Sequence, residues 1–175
     1  MMRRRILALF MALTLLTELL LGGGVYLFVR KLLIERAADR MEDLACLLLV
    51  NLEAGHEQQQ ADGWAELLNA QHDGYRITVV DAGGGVCADT GAAAADMENH
   101  AGREEIADAL ASGRGVALRY SPTMGTHYLY VAVSDGARVL RVSQDFGQMR
   151  QLQRSLLISL ALTAAVALVP RELTK

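Results

Sequence analysis

The chain has 175 residues, 52% of them hydrophobic, and a formal charge of −3, which gives room for one domain plus accessories. The apolar residues pile up at two ends, 6–29 and 156–169, and the stretch between them, 32–149, holds 18 Asp and Glu against 8 Arg and no Lys. A segment that acidic repels phosphate backbones and excludes nucleic acid as a natural partner, while tolerating cations, amines and cationic peptides.

Residues 6–29 contain one ionisable group, Glu18. As a helix they would be about 36 Å long, enough to cross a hydrocarbon core of about 30 Å with tilt. Fourteen Leu, Ile, Val and Phe residues, each worth roughly −0.3 to −0.6 kcal/mol, outweigh roughly +3 kcal/mol for a central acid. Arg3, Arg4 and Arg5 would suit a signal peptide, but the apolar stretch is too long and no Ala-x-Ala site follows, so an uncleaved anchor is expected. Glu18 either faces a partner helix or sits protonated among leucines. Gly22, Gly23 and Gly24 would allow close helix approach or a kink.

Beyond Val29 the helical pattern continues. Ile34, Ala38, Met41, Ala45, Leu48 and Leu52 recur at steps of four and three, a heptad seam that could close a dimer or pack within its own subunit. Gly55 ends it, and 62–71 reads as a shorter helix with Trp64 as a core anchor. The period then changes. Residues 75–81 form a β-branched, alternating strand, Ala82-Gly83-Gly84-Gly85 a turn, and 86–89 the returning strand. No Lys-Ser/Thr follows the glycines, so a phosphate loop is not supported. Residues 91–95 are small and flexible. Residues 103–110 make a helix with acids in its first turn, ended by Gly113. Three strands follow, 114–121, 126–134 and 138–146, joined by hairpin-type turns at 122–125 and 135–137. An exit helix from Gln148 leads into the second apolar segment, 152–169, which Pro170 stops five residues before Lys175.

This order predicts an α+β fold, an antiparallel five-stranded sheet with a long N-terminal helix, helices on one side, flanked by two transmembrane helices. The expected division is 1–5 cytoplasmic tail, 6–29 first anchor, 30–151 extracytoplasmic domain, 152–169 second anchor and 170–175 a truncated cytoplasmic end. Arginines on both sides of the anchors blunt the positive-inside bias and leave a mild preference for the central domain outside. Cys46 and Cys87 are too few for a disulfide scaffold and show no zinc spacing. One disulfide is possible in an oxidising compartment, but two separate, packed small residues are expected.

Certain stretches belong together: Ile77-Thr78-Val79-Val80-Asp81, Val86-Cys87-Ala88-Asp89, Met97-Glu98-Asn99-His100, Arg103-Glu104-Glu105-Ile106, Gly113-Arg114-Gly115 and Arg119-Tyr120-Ser121. In this order they resemble the extracytoplasmic sensor domain of bacterial phosphate-regulon-type sensor histidine kinases, over residues 75–146. Position 104 is Glu where many relatives have Pro, a tolerable change at a helix start. The resemblance implies a PAS-like, single-Cache fold, homodimerisation and two-component signalling at the bacterial cytoplasmic membrane. It further implies a HAMP linker, a phosphoaccepting histidine helix and an ATP-binding domain, none of which lies in these residues. The chain therefore carries no expected catalytic residue, metal or cofactor. ATP and the cognate response regulator would belong to the kinase domain.

A small-molecule pocket is expected on the sheet face away from the long helix. Asp89, His100, Arg119, Tyr128, Tyr130 and Arg141 are its candidate residues, because an arginine paired with a carboxylate could grip an amino or organic acid. The competing reading has Asn99 and His100 capping the short helix or tying its loop to the sheet. Two other functions stay open: an envelope or protein-interaction module without a small ligand, and a chemoreceptor-type sensor with a different output.

Overall fold

The computed structural model describes residues 2–70, 74–121 and 125–147, and beyond these 154–155, 157–159 and 161–162. Two compact units emerge, one from Met1–Leu33 with Gln148–Lys175, the other Ile34–Gly147. One helix, α1 (Met2–Val50), runs through both. Its Leu9–Val50 part is the one candidate membrane-crossing helix among the described residues, by length and composition, with mean hydropathy 1.8 over an 18-residue window. Leu9, Phe10, Leu13, Leu20, Leu21 and Phe28 are all more than half exposed on it, as side chains facing lipid would be. The second expected anchor, 152–169, and the exit helix from Gln148 fall largely outside the described residues. Within that stretch 154–155, 157–159 and 161–162 are helical.

The second unit is built on five antiparallel strands, β1 (Tyr75–Asp81), β2 (Val86–Asp89), β3 (Arg114–Ser121), β4 (Thr126–Ser134) and β5 (Arg138–Asp145), in the order β2-β1-β5-β4-β3. Each alternates between the two faces. Ile77, Val79, Leu129, Val131, Leu140 and Val142 point to one face, where Ala37, Ala38, Met41, Ala45 and Leu49 of α1 and Ala61 of α2 (Glu57–Ala70) complete the main core. Trp64 of α2 packs against it, partly buried. On the other face Val80, Ala132 and Val139 meet Ile106 and Ala109 of α3 (Glu104–Ser112). The helices therefore cover both faces rather than one. The alternation Val79/Val80 and Leu140/Val139 supplies an apolar residue to each side, and α3 uses the second set.

Of the two readings of the heptad seam, packing within its own subunit takes four of the six residues. Met41 and Ala45 are fully buried and Ala38 and Leu52 nearly so, while Ile34 and Leu48 pack against the same cluster and are partly buried. The outward face of α1 instead exposes Leu47 and Val50. The cysteine expectation fails: Cys46 and Cys87 are both exposed and free. Cys46 falls beside the seam positions rather than on them, and Cys87 points outward from edge strand β2.

Helix α2 starts five residues before the expected position. Its N-terminus is held by two of its own side chains: Glu57 Oε2 accepts from Gly55 N–H at 2.9 Å, and Gln60 Oε1 accepts from Glu53 N–H at 2.8 Å. Gly113 closes α3 in the left-handed conformation, φ 87°, as its sequence position predicts.

Candidate functional site

The face opposite α1 changes character along its strands. Near α3 it is apolar; beyond, three rungs carry polar side chains. Register places Thr78 between Asp89 and Arg141, and Arg141 beside Ala132, itself beside Gly115. On the next rung Arg76 pairs with Ser143, Ser143 with Tyr130 and Tyr130 with Ala117; on the third Asp145 pairs with Tyr128 and Tyr128 with Arg119. The small residues decide what lies above them. A Cβ on Gly115 would run into the backbone of Glu105, so glycine here lets α3 settle directly on β3. That close approach lowers the Glu105 carboxylate, fully buried, between two arginines.

Glu105 is shared. Arg119 holds it with both terminal nitrogens, Nη1 to Oε2 at 2.8 Å and Nη2 to Oε1 at 3.0 Å, while Arg141 Nη1 reaches Oε1 at 3.2 Å. Arg141 Nη2 donates to Thr78 Oγ1 at 2.9 Å, and Thr78 donates to Asp89 Oδ2 at 2.7 Å. Asp89 in turn receives Arg76 Nε at 2.9 Å and the backbone N–H groups of Gly91 and Ala92. The Arg119 guanidinium lies 4.1 Å from the Tyr130 ring centroid and that of Arg141 5.3 Å. Such cation–π contacts contribute about 0.5–2 kcal/mol each. Arg141 is 4% exposed, and its Nε–H, out of reach of water, has no acceptor among the described residues. Burial pulls its pKa down and the Glu105 carboxylate pushes it back up. A guanidinium nevertheless stays protonated.

The adjoining loop is latched to the β1–β2 turn. Asp81 Oδ1 accepts from Gly83 and Gly85 N–H at 2.8 and 2.9 Å. Asn99 Nδ2 donates to Gly83 O at 2.8 Å, and His100 N–H to Gly84 O at 2.7 Å. Gly84 has φ 84°, and a Cβ there would strike Asn99 and Ala101. So the triglycine is a docking cradle for the Glu-Asn-His loop. His100 is buried; its Nδ1 lies 2.8 Å from Glu98 O, which assigns the proton of the neutral ring to Nδ1. Burial, then the charge of Arg141, depresses its pKa.

These side chains surround a cavity of about 850 Å³ whose lining includes Arg76, His100, Arg103, Arg119, Tyr128, Tyr130 and Arg141. Five of the six expected pocket residues thus come together at one wall. The sixth, Asp89, sits behind it as the counter-charge of Arg76. The expectation that Asn99 ties the loop to the sheet is also met, and His100 both anchors the loop and lines the cavity. Sequence reasoning missed Arg76, Thr78 and Glu105. Arg76 and Thr78 share strand parity, a signal that could have found them; Glu105 read only as a helix-start acid. Burial pushes the Tyr128 hydroxyl up from its ordinary value. Among the described residues no group of three His, Cys, Asp or Glu side chains is placed to hold a metal ion.

No protein-family signature matches the chain, and no curated protein sequence matches it. Solved structures do. The crystal structure of the V. cholerae histidine kinase DctB sensor domain superposes with a TM-score of 0.53 at 14% identity, over 87% of this chain and 60% of that one. The extracellular domain of the rpHK1S-Z16 histidine kinase candidate scores 0.32 at 17% identity, over 46% of this chain and 37% of that one, and adds nothing to the fold assignment. The chain spans less than two thirds of either solved domain. The fold, a long N-terminal helix on a five-stranded antiparallel sheet, is thus similar to that of the DctB sensor domain, here with a charged cavity on the far face of the sheet.

Proposed function

We propose that the chain is the membrane-anchored, signal-sensing input region of a two-component sensor histidine kinase, with the central domain outside a bacterial cytoplasmic membrane and anchors on both sides of it. The observation that carries this reading is the sensor-domain fold continuous, through α1, with a helix apolar enough to cross a membrane. A cue taken up on the sheet face would shift the domain between two states, and only a difference in affinity for those states can drive the shift. ATP and the response regulator act on a kinase domain beyond these residues. The test joins residues 1–175 to a histidine-kinase output domain and measures autophosphorylation in membranes. A change of at least several-fold on Arg141→Gln or Glu105→Gln supports a sensory role; identical activity for wild type and both variants contradicts it.

A homodimer fits the same reading, with the outward face of α1 as its surface. Leu47 is 62% and Val50 86% exposed there, next to the exposed Cys46. Mild oxidation of membranes should link two copies through Cys46, and Cys46→Ser should abolish the linked species. Exclusively monomeric protein would rule this surface out.

A further inference from the structure

Helix α1 lies on the sheet through a face with few projections. At its centre are Ala37, Ala38, Met41 and Ala45, all buried against the strands. Helices hold their place by fitting ridges of side chains into grooves, and alanines make shallow ridges. Met41 is unbranched and adapts its shape. Such a contact holds α1 against the sheet but resists sliding along the helix axis only weakly, so directional bonds must set its position. Arg114, the first residue of β3, supplies one. Its Nε donates to Glu42 Oε2 at 2.6 Å, and its Nη2 stands 3.7 Å from Asp39 Oδ1. Asp39 and Glu42 are three residues apart and so are neighbours on one side of α1. One guanidinium is thus seated on one carboxylate and just short of a second. The joint behind it is stiff. Arg114 directly follows Gly113, the C-cap of α3; Ser112 Oγ lies 3.0 Å from Arg114 O, and Ser134 N–H donates to Gly113 O at 3.0 Å.

We infer that Arg114 is a latch that fixes α1 on the sheet and has two seats: Glu42, occupied here, and Asp39. This goes beyond the sensor reading and rests on it only for the use the latch would serve. Exchange from Glu42 to Asp39 moves α1 by about 1–2 Å, the scale of helix shifts at packed interfaces. The movement is toward the C-terminus of α1, because Asp39 precedes Glu42 in the chain, and the apolar segment of the same helix follows. One carboxylate replaces another, so the two positions differ little in energy. Neighbouring residues carry the coupling through the sheet. Gly115 takes the backbone of α3 on the cavity side, and Arg114, of opposite parity, holds α1 on the other. Arg114, Asp39 and Glu42 are all reached by solvent. An exposed ion pair adds little to stability, so the latch can be opened without unfolding the domain.

Cys46 of α1 and Cys87 of β2 are exposed and free, so nitroxides on these two native thiols report where α1 stands on the sheet. Double electron–electron resonance on the full chain in nanodiscs, with labelled chain diluted into unlabelled chain, measures their separation. Glu42→Gln should shift the mean distance by about 1–2 Å, and Asp39→Asn should leave it at the wild-type value. The double variant, Glu42→Gln with Asp39→Asn, should lose the shift, since neither seat remains. Circular dichroism verifies the fold of each variant. A merely structural ion pair would give no shift with Glu42→Gln; that result, or a shift that persists in the double variant, overturns the latch. In the chimeric kinase, Glu42→Gln should change autophosphorylation by about twofold or more, and Asp39→Asn should not. A distance shift with unchanged output leaves the latch standing and counts against the sensory reading, so the two fail separately.

Discussion

The two faces of the sheet are made from alternate residues of the same strands, and their chemistry is opposed. Toward α1, Ile77, Val79, Leu129, Val131, Leu140 and Val142 form an apolar layer with no exposure at all. Toward the cavity, Arg76, Thr78, Arg119, Tyr128, Tyr130, Arg141 and Ser143 occupy the positions between them. The first layer is explained by stability, since burying a Leu or Val side chain contributes about 1.5–3 kcal/mol. The second is not. Buried ion pairs are often no more stabilising than apolar residues of the same size, because desolvation offsets the attraction. The difference teaches where to look for function: on the face whose composition packing does not require.

The largest effect should come from unbalancing the charged face. Glu105→Leu alone leaves Arg119 and Arg141 without a counter-charge and should cost about 3–5 kcal/mol in chemical denaturation. Replacing all three, Glu105→Leu with Arg119→Met and Arg141→Met, should restore stability to within about 1 kcal/mol of wild type or exceed it. A triple variant as unstable as the single one would show that the charged face serves stability after all. Next comes the apolar face. Leu140→Ala should cost about 3 kcal/mol through lost burial and the cavity left behind, yet leave the output of the chimeric kinase unchanged wherever the protein stays folded. An altered output in folded Leu140→Ala would mean that the two faces are not separable.

The smallest effect is a pH dependence. His100 meets Glu98 of its own loop, Arg103 and Glu105 at the start of α3, and Arg141 of β5. Its folded pKa is depressed, first by burial and then by Arg141, so the folded domain binds fewer protons than the unfolded chain. Its contribution is therefore complete above the unfolded value of about 6.5 and is lost as pH falls from there through the folded pKa. Thermal stability of wild type should fall more steeply below about pH 6.5 than that of His100→Gln. Parallel curves would remove His100 from the account.

The strands were legible in the sequence almost to the residue, because β-branched alternation such as Ile77-Thr78-Val79 is interrupted sharply by Gly83-Gly84-Gly85 and by Gly113. Strand parity also placed Tyr128 and Tyr130 on one face, and Arg119 and Arg141 were candidates from their own strands. Three things were not legible. Ala38, Met41 and Ala45 have the spacing of a dimer seam, but a heptad pattern records only that one helix face is buried, not against what. The position of α3 on the far face depends on Gly115, whose missing Cβ matters only once α3 lies over it. Glu105 looked like any acid in a first helical turn until that approach buried it between Arg119 and Arg141.

Hydrogen–deuterium exchange of the full chain in nanodiscs, comparing wild type with Arg141→Gln, tests the central claim directly. The account predicts faster exchange in α3, β1 and β5, whose ties through Arg141 to Glu105 and Thr78 are lost, and no change in residues 37–49 of α1. Changes confined to α1, or none in β5 and α3, would contradict it.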